Sequence, residues 1–318
     1  MSWITQLFAH QPENESVLNG AIERAVNMVE PRLLQIGDYH AYYRKPVAHA
    51  LAYAAELASR VPGPVELSRE SYARDVLVHA LFPSVDFVAD AFCTSRALHE
   101  YHQQHPGADE LYALMGMRRV EKTQFGIELS GDFIQHDVMQ NAVYFTSHTI
   151  ENPAFSELEA RSQVTLSFFD SLVCKVKKRV EARRQEQQSK LLEKDMLVAR
   201  LRAADDSARP GLEVEFARMI ADMQTEAGLP DLNHYQADFE AVLLNPELYL
   251  RLAQTPIILD RMGIRRESVE SGQADQVLFS ELIDYDRRNW TVTMVHCSHL
   301  SDESLTDKFE KSYRHLAV

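Results

Sequence analysis

Apolar residues along this chain recur at two different spacings, and the spacing changes four times. Residues 16–120 and 154–254 place apolar side chains three and four positions apart, which predicts helices with one buried face. Residues 123–150 and 257–297 alternate apolar and polar side chains, which predicts strands. A final helix is predicted from Ser301, a capping residue followed by two acidic residues and, in the last turn, by basic ones.

The first strand region predicts a hairpin around Gly131 and Asp132. Pairing across that loop sets Phe125 opposite Val138 and makes one face nearly all apolar, which supports this register. A third strand near residues 142–150 completes the predicted meander.

The second strand region contains VLFSELIDYDRRNWTVTMVHCSH, which predicts two strands around a turn at residues 286–289. This register pairs Ile283 with Val292, so that aromatic and β-branched side chains share one face. It also makes Glu281 a diagonal neighbour of His296 on that same apolar face.

Glu281 and His296 are therefore the candidate catalytic residues. A carboxylate beside an imidazole on a desolvated face can have a shifted pKa, which is the property that acid–base catalysis uses. The other interpretation, which the sequence favours, is a satisfied polar pair at the edge of the sheet. No nucleophile or phosphate-binding loop lies near the pair in sequence.

The helical region between the two strand regions contains a long stretch, residues 157–204, without proline or glycine. Its first part carries apolar residues at a heptad-like spacing, whereas EARRQEQQSK in its middle is polar on every side. Pro210 and Gly211 then turn the chain, and the apolar residues that follow are able to pack back as a second helix. The pattern predicts a projecting, coiled-coil-like helical hairpin.

These elements predict an α+β fold with an antiparallel sheet of about five or six strands, interrupted by the inserted hairpin. The predicted divisions are a helical region at 1–120, the first part of the sheet at 121–153, the helical hairpin at 154–255, and the rest of the sheet with the last helix at 256–318. One sheet is expected rather than two, because two small sheets would have poorer cores.

Charge is distributed unevenly along the chain. The 318 residues carry 33 Lys and Arg against 47 Asp and Glu, for a net charge of −14. Residues 175–202 contain ten basic and four acidic residues, so this stretch is at +6 and the remainder at −20. The candidate partner-binding residues are Lys175, Lys177, Lys178, Arg179, Arg183 and Arg184.

Such polarity attracts an anionic partner to the hairpin. The alternative, which the sequence favours, is a solvated helix face whose basic residues pair with Glu three or four positions away. Nucleic acid is possible but not favoured as a partner, because no aromatic residue lies between 175 and 202 to stack on bases.

Known cofactor and metal motifs are missing from the sequence. It contains no GxxxxGK[ST], GxGxxG, HExxH or GxSxG motif, which removes the main support for nucleotide hydrolysis, dinucleotide binding, zincin or α/β-hydrolase chemistry. His99, His102 and His105 fall within one arc of a helix, but no acidic partner has a defined spacing to them. No metal and no cofactor are expected.

The expected location is the cytoplasm. Cys93, Cys174 and Cys297 lie far apart, so their spacing implies neither a disulfide framework nor a zinc site. The first residues do not form a signal peptide, and no apolar run is long enough to span a bilayer.

The sequence thus favours a binding, regulatory or scaffold protein over an enzyme. We expect it to use the helical hairpin at 157–226 for self-association or for a protein or anionic partner. The enzyme hypothesis places acid–base chemistry at Glu281 and His296.

Overall fold

The computed structural model describes residues 12–35, 38–108, 110–130, 133–205, 207–226, 232–269, 274–285 and 289–298. The chain divides into two compact units, which we name by their main content. The helical unit comprises Met1–Ala54 and Phe169–Tyr249, and the sheet unit comprises Ala55–Phe168 and Leu250–Val318.

The described helices form two groups along the chain, one before β2 and one between β3 and β4, as the α+β prediction requires. The helices are α1 (Pro12–Val29), α2 (Tyr39–Arg60), α3 (Arg69–Arg74), α4 (Val76–Leu81), α5 (Val85–Thr94), α6 (Arg96–Gln104), α7 (Glu157–Ala203), α8 (Arg209–Glu226) and α9 (Leu232–Leu243). Short 3-10 turns lie at Pro31–Gln35 and Pro246–Leu248. None of the described helices is both long enough and apolar enough to cross a membrane.

The strands form one six-stranded sheet within the sheet unit. They are β1 (Val65–Glu66), β2 (Leu111–Ser130), β3 (Phe133–Ala154), β4 (Leu250–Asp260), β5 (Ala274–Asp284) and β6 (Asn289–Cys297). Their order is β3-β2-β6-β5-β4, all antiparallel, and the two-residue β1 adds a parallel pairing to β6. The predicted fold class is confirmed: the 47-residue α7 lies between β3 and β4, so a helical segment interrupts the sheet.

The β2–β3 hairpin is longer than the sequence predicts. Residues 111–120 belong to β2 instead of a helix, and the predicted third strand is the continuation of β3. Phe125 pairs with Met139 and not with Val138, because Asp137 lies in a bulge that adds one residue to β3. The predicted loop residues, Gly131 and Asp132, lie outside the described part of the chain.

The predicted register of β5 and β6 is wrong by three residues. Ile283 pairs with Asn289, and Glu281 pairs with Thr291. The physical reason is that β6 is buried on both faces from Thr291 to Val295, so alternation of apolar residues does not select one register. Of the turn predicted at 286–289, Asn289 is instead the first residue of β6. Residues 286–288 and the predicted helix from Ser301 lie outside the described residues.

The sheet is curled, and its two outer strands, β3 and β4, both contact the segment that follows β4. Ile264 bridges to Ala142 of β3, and Arg265 bridges to Leu259 of β4. The backbone N–H of Val143 donates to the carbonyl of Gly263 at 2.8 Å. One face of the curled sheet therefore encloses an apolar core that α4, α5 and α6 cover, and its largest buried members include Phe82, Leu98, Met115, Met117 and Phe279.

The helical unit has its own apolar core. Its buried residues come from α1, from the first part of α2, from α7 beyond residue 169 and from α9, and they include Ile22, Val26, Val47, Phe169, Val173, Val176, Val180, Phe239 and Val242. The heptad-like residues of α7 are among them, so this period marks a buried face as predicted.

Candidate functional site

Two of the predicted partner-binding arginines contact a buried carboxylate inside the helical unit. Arg183 Nη1 lies 2.6 Å from Asp238 Oδ2, and its Nη2 donates to Oδ1 at 2.9 Å. Arg179 Nε donates to Asp238 Oδ1 at 3.3 Å. Asp238 is only 1% exposed, so these contacts supply the charge that its burial requires.

Arg184 makes a second cluster of the same kind. Its Nη2 donates to the Tyr235 hydroxyl at 2.8 Å, and its guanidinium also contacts the buried carboxylate of Glu30. The Arg184 guanidinium lies 5.8 Å from the centre of the Tyr235 ring, within the range of a cation–π contact. Arg32 Nε lies 3.1 Å from the other Glu30 oxygen.

The basic stretch is therefore less available to an external partner than its count of charges implies. Arg179 and Arg183 contact Asp238 of α9, and Arg184 contacts Glu30, the residue after α1. Lys175 is buried. Of the six candidate residues, Lys177, Lys178 and Arg179 have exposed side chains.

The sequence does contain a signal for this arrangement. Asp238 is followed by Phe239, with Tyr235 three residues before it and Val242 four residues after it. An acidic residue at those spacings lies on the same helix face as the apolar stripe, where it needs a basic partner when buried.

Beyond these ion pairs, the two helices project apolar side chains that the chain does not bury. We define the arm as residues 181–203 of α7 and 209–223 of α8. Among its described side chains, Leu197 is the one that is fully buried. Four large apolar side chains are exposed, at 46% for Leu191, 65% for Leu192, 68% for Met196 and 71% for Val214. The half-buried ones are Val198, Leu201, Leu212, Phe216, Met219, Ile220 and Met223.

A structured turn connects the two arm helices. Asp205 Oδ1 accepts hydrogen bonds from the Ser207 hydroxyl at 2.8 Å and from the Ala208 N–H at 2.9 Å. These bonds, the one from the Ser207 hydroxyl first, lower the pKa of the Asp205 carboxyl. Asp205 therefore acts as an N-terminal cap for α8, which fixes where this helix begins.

The predicted catalytic residue Glu281 lies on the inner face of the sheet. Its Oε1 is 3.2 Å from Arg119 Nη2, and its Oε2 accepts a hydrogen bond from Thr255 Oγ1 at 3.2 Å. Arg119 lies on β2, Thr255 on β4 and Glu281 on β5. Thr291, the pairing partner of Glu281, lies on β6 between β2 and β5. The carboxylate is buried and engaged by these two neighbours.

His296 belongs to a different cluster. Its Nδ1 lies 2.6 Å from Glu66 Oε2, and its ring stacks on Tyr112 with centroids 4.5 Å apart. Both neighbours follow from strand pairing, because Glu66 and Tyr112 are the partners of His296 on β1 and β2. The Ser298 hydroxyl donates to the other Glu66 oxygen.

Glu281 and His296 are not diagonal neighbours, so this prediction is wrong. Glu281 pairs with Thr291, and His296 lies five residues farther along β6, about 16 Å away at the usual rise of a strand. The β6 register is regular over these residues, so His296 points to the opposite face of the sheet from Thr291.

The three histidines at the end of α6, His99, His102 and His105, have different surroundings. A ring nitrogen of His99 lies 2.8 Å from Gln103 Nε2, and the His105 ring packs 4.8 Å from Phe155. Burial lowers the pKa of His102. Within the described ranges there is no group of three or more His, Cys, Asp or Glu side chains placed to hold a metal ion.

Comparison of the chain with protein-family models, with curated proteins and with solved structures found no match in any of the three.

Proposed function

We propose that this protein binds a second copy of itself through the arm and works as a scaffold or regulatory protein, not as an enzyme. The observation that carries the proposal is the exposure of the apolar side chains of both arm helices. We place this activity in the cytoplasm, in keeping with the free thiols of Cys174 and Cys297.

A pair of helices has too few neighbours to cover its own apolar stripe. Each helix of a folded protein buries one face against another element, and Leu192 and Met196 lie one turn apart on a face without such cover. Full burial of a large apolar side chain stabilises an assembly by roughly 1.5–3 kcal/mol. Two copies of the hairpin supply the missing neighbours for each other in a four-helix arrangement with two-fold symmetry.

The charges of the arm favour a second copy over a strongly charged partner. Residues 181–203 of the arm carry six basic and four acidic side chains, and residues 209–223 carry two basic and three acidic ones. An antiparallel two-fold contact sets the first segment of one copy beside the second segment of the other. Segments of opposite net charge then meet, which supports the correct orientation.

Light scattering coupled to size-exclusion chromatography tests this proposal on the full chain. We expect a dimer for the natural sequence and a monomer for Leu192→Glu combined with Met196→Glu, because each carboxylate would be placed in the contact. Leu158→Glu is the matched control: Leu158 is 72% exposed on the first turn of the same helix, outside the arm, and this variant should stay dimeric.

A deletion gives a second test that spares the internal ion pairs. Replacing residues 188–222 by a short linker removes most of the arm but keeps Arg183 and Arg184 with their acidic partners. The shortened chain should be a folded monomer by circular dichroism and light scattering. A natural chain that is monomeric at all concentrations, or a deletion variant that still dimerises, would show the proposal to be wrong.

A further inference from the structure

A cleft of about 530 Å³ opens on the sheet unit, at some distance in sequence from the arm. Its walls come from α3 and α4, from β3, and from the facing ends of β4 and β5. Side chains from its floor, among them Leu81, Phe82, Phe145 and Leu259, belong to the buried core of the sheet. This volume and this apolar floor are those of a small-molecule site.

Two of the carboxylates at the rim are committed to the fold. Asp75 Oδ1 accepts the backbone N–H of Leu77 at 2.7 Å at the start of α4. Asp260 accepts the backbone N–H groups of Met262 and Ile264, each at 2.9 Å, and pairs with Arg266. Neither carboxylate needs a ligand to balance its charge.

Two other charged residues at the rim have no such commitment. Arg261 and Asp275 are exposed, and within the described part of the chain neither makes an ion pair or a side-chain hydrogen bond. Leu259 is the strand partner of Asp275, and Arg261 follows Leu259 by two residues, so the two charges lie at the same end of the β4–β5 pair. A guanidinium and a carboxylate from the same end of this strand pair thus line the cleft, and neither is engaged within the described part of the chain.

An aromatic pair completes the rim. Tyr72 and His79 face each other across the start of α4, with ring centroids 4.9 Å apart. Flat rings beside an apolar floor favour a ligand with an aromatic body, because such rings pack on one another in offset or edge-to-face arrangements.

We propose that this cleft binds a small zwitterion with an aromatic side chain, of the α-amino-acid class. The ligand carboxylate pairs with Arg261, its ammonium group pairs with Asp275, and its ring packs against the Tyr72 and His79 pair at the rim. A bidentate guanidinium–carboxylate contact fixes the orientation of the ligand. This proposal is independent of self-association through the arm.

Isothermal titration of the full chain with three related compounds tests the proposal. L-Phenylalanine carries both charges, 3-phenylpropanoate lacks the ammonium group, and phenethylamine lacks the carboxylate. We expect measurable binding of phenylalanine and at least about tenfold weaker binding of each analogue, because each loses one charged contact.

Two exposed substitutions assign each charge to its partner. Arg261→Gln should weaken phenylalanine about tenfold and leave phenethylamine unchanged, whereas Asp275→Asn should weaken phenylalanine and leave 3-phenylpropanoate unchanged. Arg251→Gln, an exposed change on β4 outside the cleft, is the matched control and should bind like the natural chain.

Methyl NMR locates the ligand independently of affinity. Phenylalanine should shift the methyl signals of Leu81 and Leu259 and not those of Leu192 in the arm. Absence of binding by all three compounds, or binding that neither Arg261→Gln nor Asp275→Asn alters, would overturn the proposal.

Discussion

The two halves of α7 have the same backbone conformation but opposite surroundings. In residues 157–180 the apolar side chains are mostly buried, with Val164, Phe169 and Val176 fully enclosed. In residues 181–203 Leu197 alone among the described side chains is buried, although leucines and a methionine recur there. The difference shows that helix spacing places apolar residues on one face, and that neighbouring elements decide whether this face is covered.

The arginines mark the boundary between the two halves. Arg179, Arg183 and Arg184 lie where the apolar core ends, and each contacts a buried or nearly buried acid. Beyond them the helix has no further carboxylate of this kind to engage among the described residues. The boundary therefore separates a segment held by ion pairs to buried acids from a segment whose large apolar side chains are mostly exposed or half-buried.

The largest expected effect comes from a truncation in the buried half. Phe169→Ala removes a fully buried ring, and we expect it to lower the free energy of unfolding by about 3–5 kcal/mol. The matching change in the arm, Leu192→Ala, should alter the unfolding of the monomer by less than about 0.5 kcal/mol. Urea denaturation of both variants at low protein concentration measures the two free energies of unfolding. Equal losses in the two variants would contradict the difference between the halves of α7.

The next effect concerns the boundary itself. Arg179→Met with Arg183→Met leaves the Asp238 carboxylate buried without a cation, which should lower the free energy of unfolding by about 3 kcal/mol. Arg200→Met, an exposed change in the arm, serves as the control and should be close to neutral. If the double variant is as stable as the control in guanidinium melts, the cluster is not what holds this boundary.

Alkaline pH should destabilise the core of the helical unit through Tyr43, a residue that lies outside the arm. Burial, with Tyr235 as a second cause, raises the pKa of Tyr43 from 10.0 to about 12. The unfolded chain loses this proton first, so the stability conferred by the neutral phenol is complete below pH 10 and is lost between pH 10 and 12.

Tyr43→Phe tests this sign directly, because phenylalanine keeps the ring but has no proton to lose. The natural chain should lose on the order of 2 kcal/mol more than the variant over that interval. The arm contains no tyrosine, so this tyrosine-linked step should be absent from its helices. A variant with the same alkaline transition as the natural chain would contradict the assignment.

The smallest effect is confined to the turn of the arm. Asp205→Ala removes the acceptor of the Ser207 and Ala208 donors, and the start of α8 should fray. We expect faster amide hydrogen exchange at Ala208, Arg209, Gly211 and Leu212 with little change in global stability. Asp205→Asn, which keeps an acceptor oxygen, should restore slow exchange.

Local patterns predicted the fold class because it depends on changes of period. The helix and strand spacings are visible in short windows, and so is the absence of proline and glycine from α7. Residues 111–120 form a strand although Leu111, Leu114 and Met115 also fit a helical spacing, because their burial comes from strands that are distant in sequence.

The candidate site was less predictable, since it depends on contacts across long sequence separations. The pairing of Glu281 with Thr291 involves β6, which is buried on both faces from Thr291 to Val295 and carries no alternation to fix the register. Likewise, Asp238 and Glu30 are far in sequence from the arginines that they bind. A count of charges along α7 therefore overstates the basic surface.

The three bulges of β3 have a consequence for aggregation. Asp137, Ser147 and Asn152 have positive φ angles of 61°, 55° and 57°, and each accompanies a shift in the pairing with β2. Because β3 is an outer strand, these shifts interrupt the regular row of outward N–H and C=O groups that a foreign strand needs. The outer edge of β3 thus exposes Met139 without offering a straight run of backbone groups for strand addition, which discourages uncontrolled sheet growth at this edge.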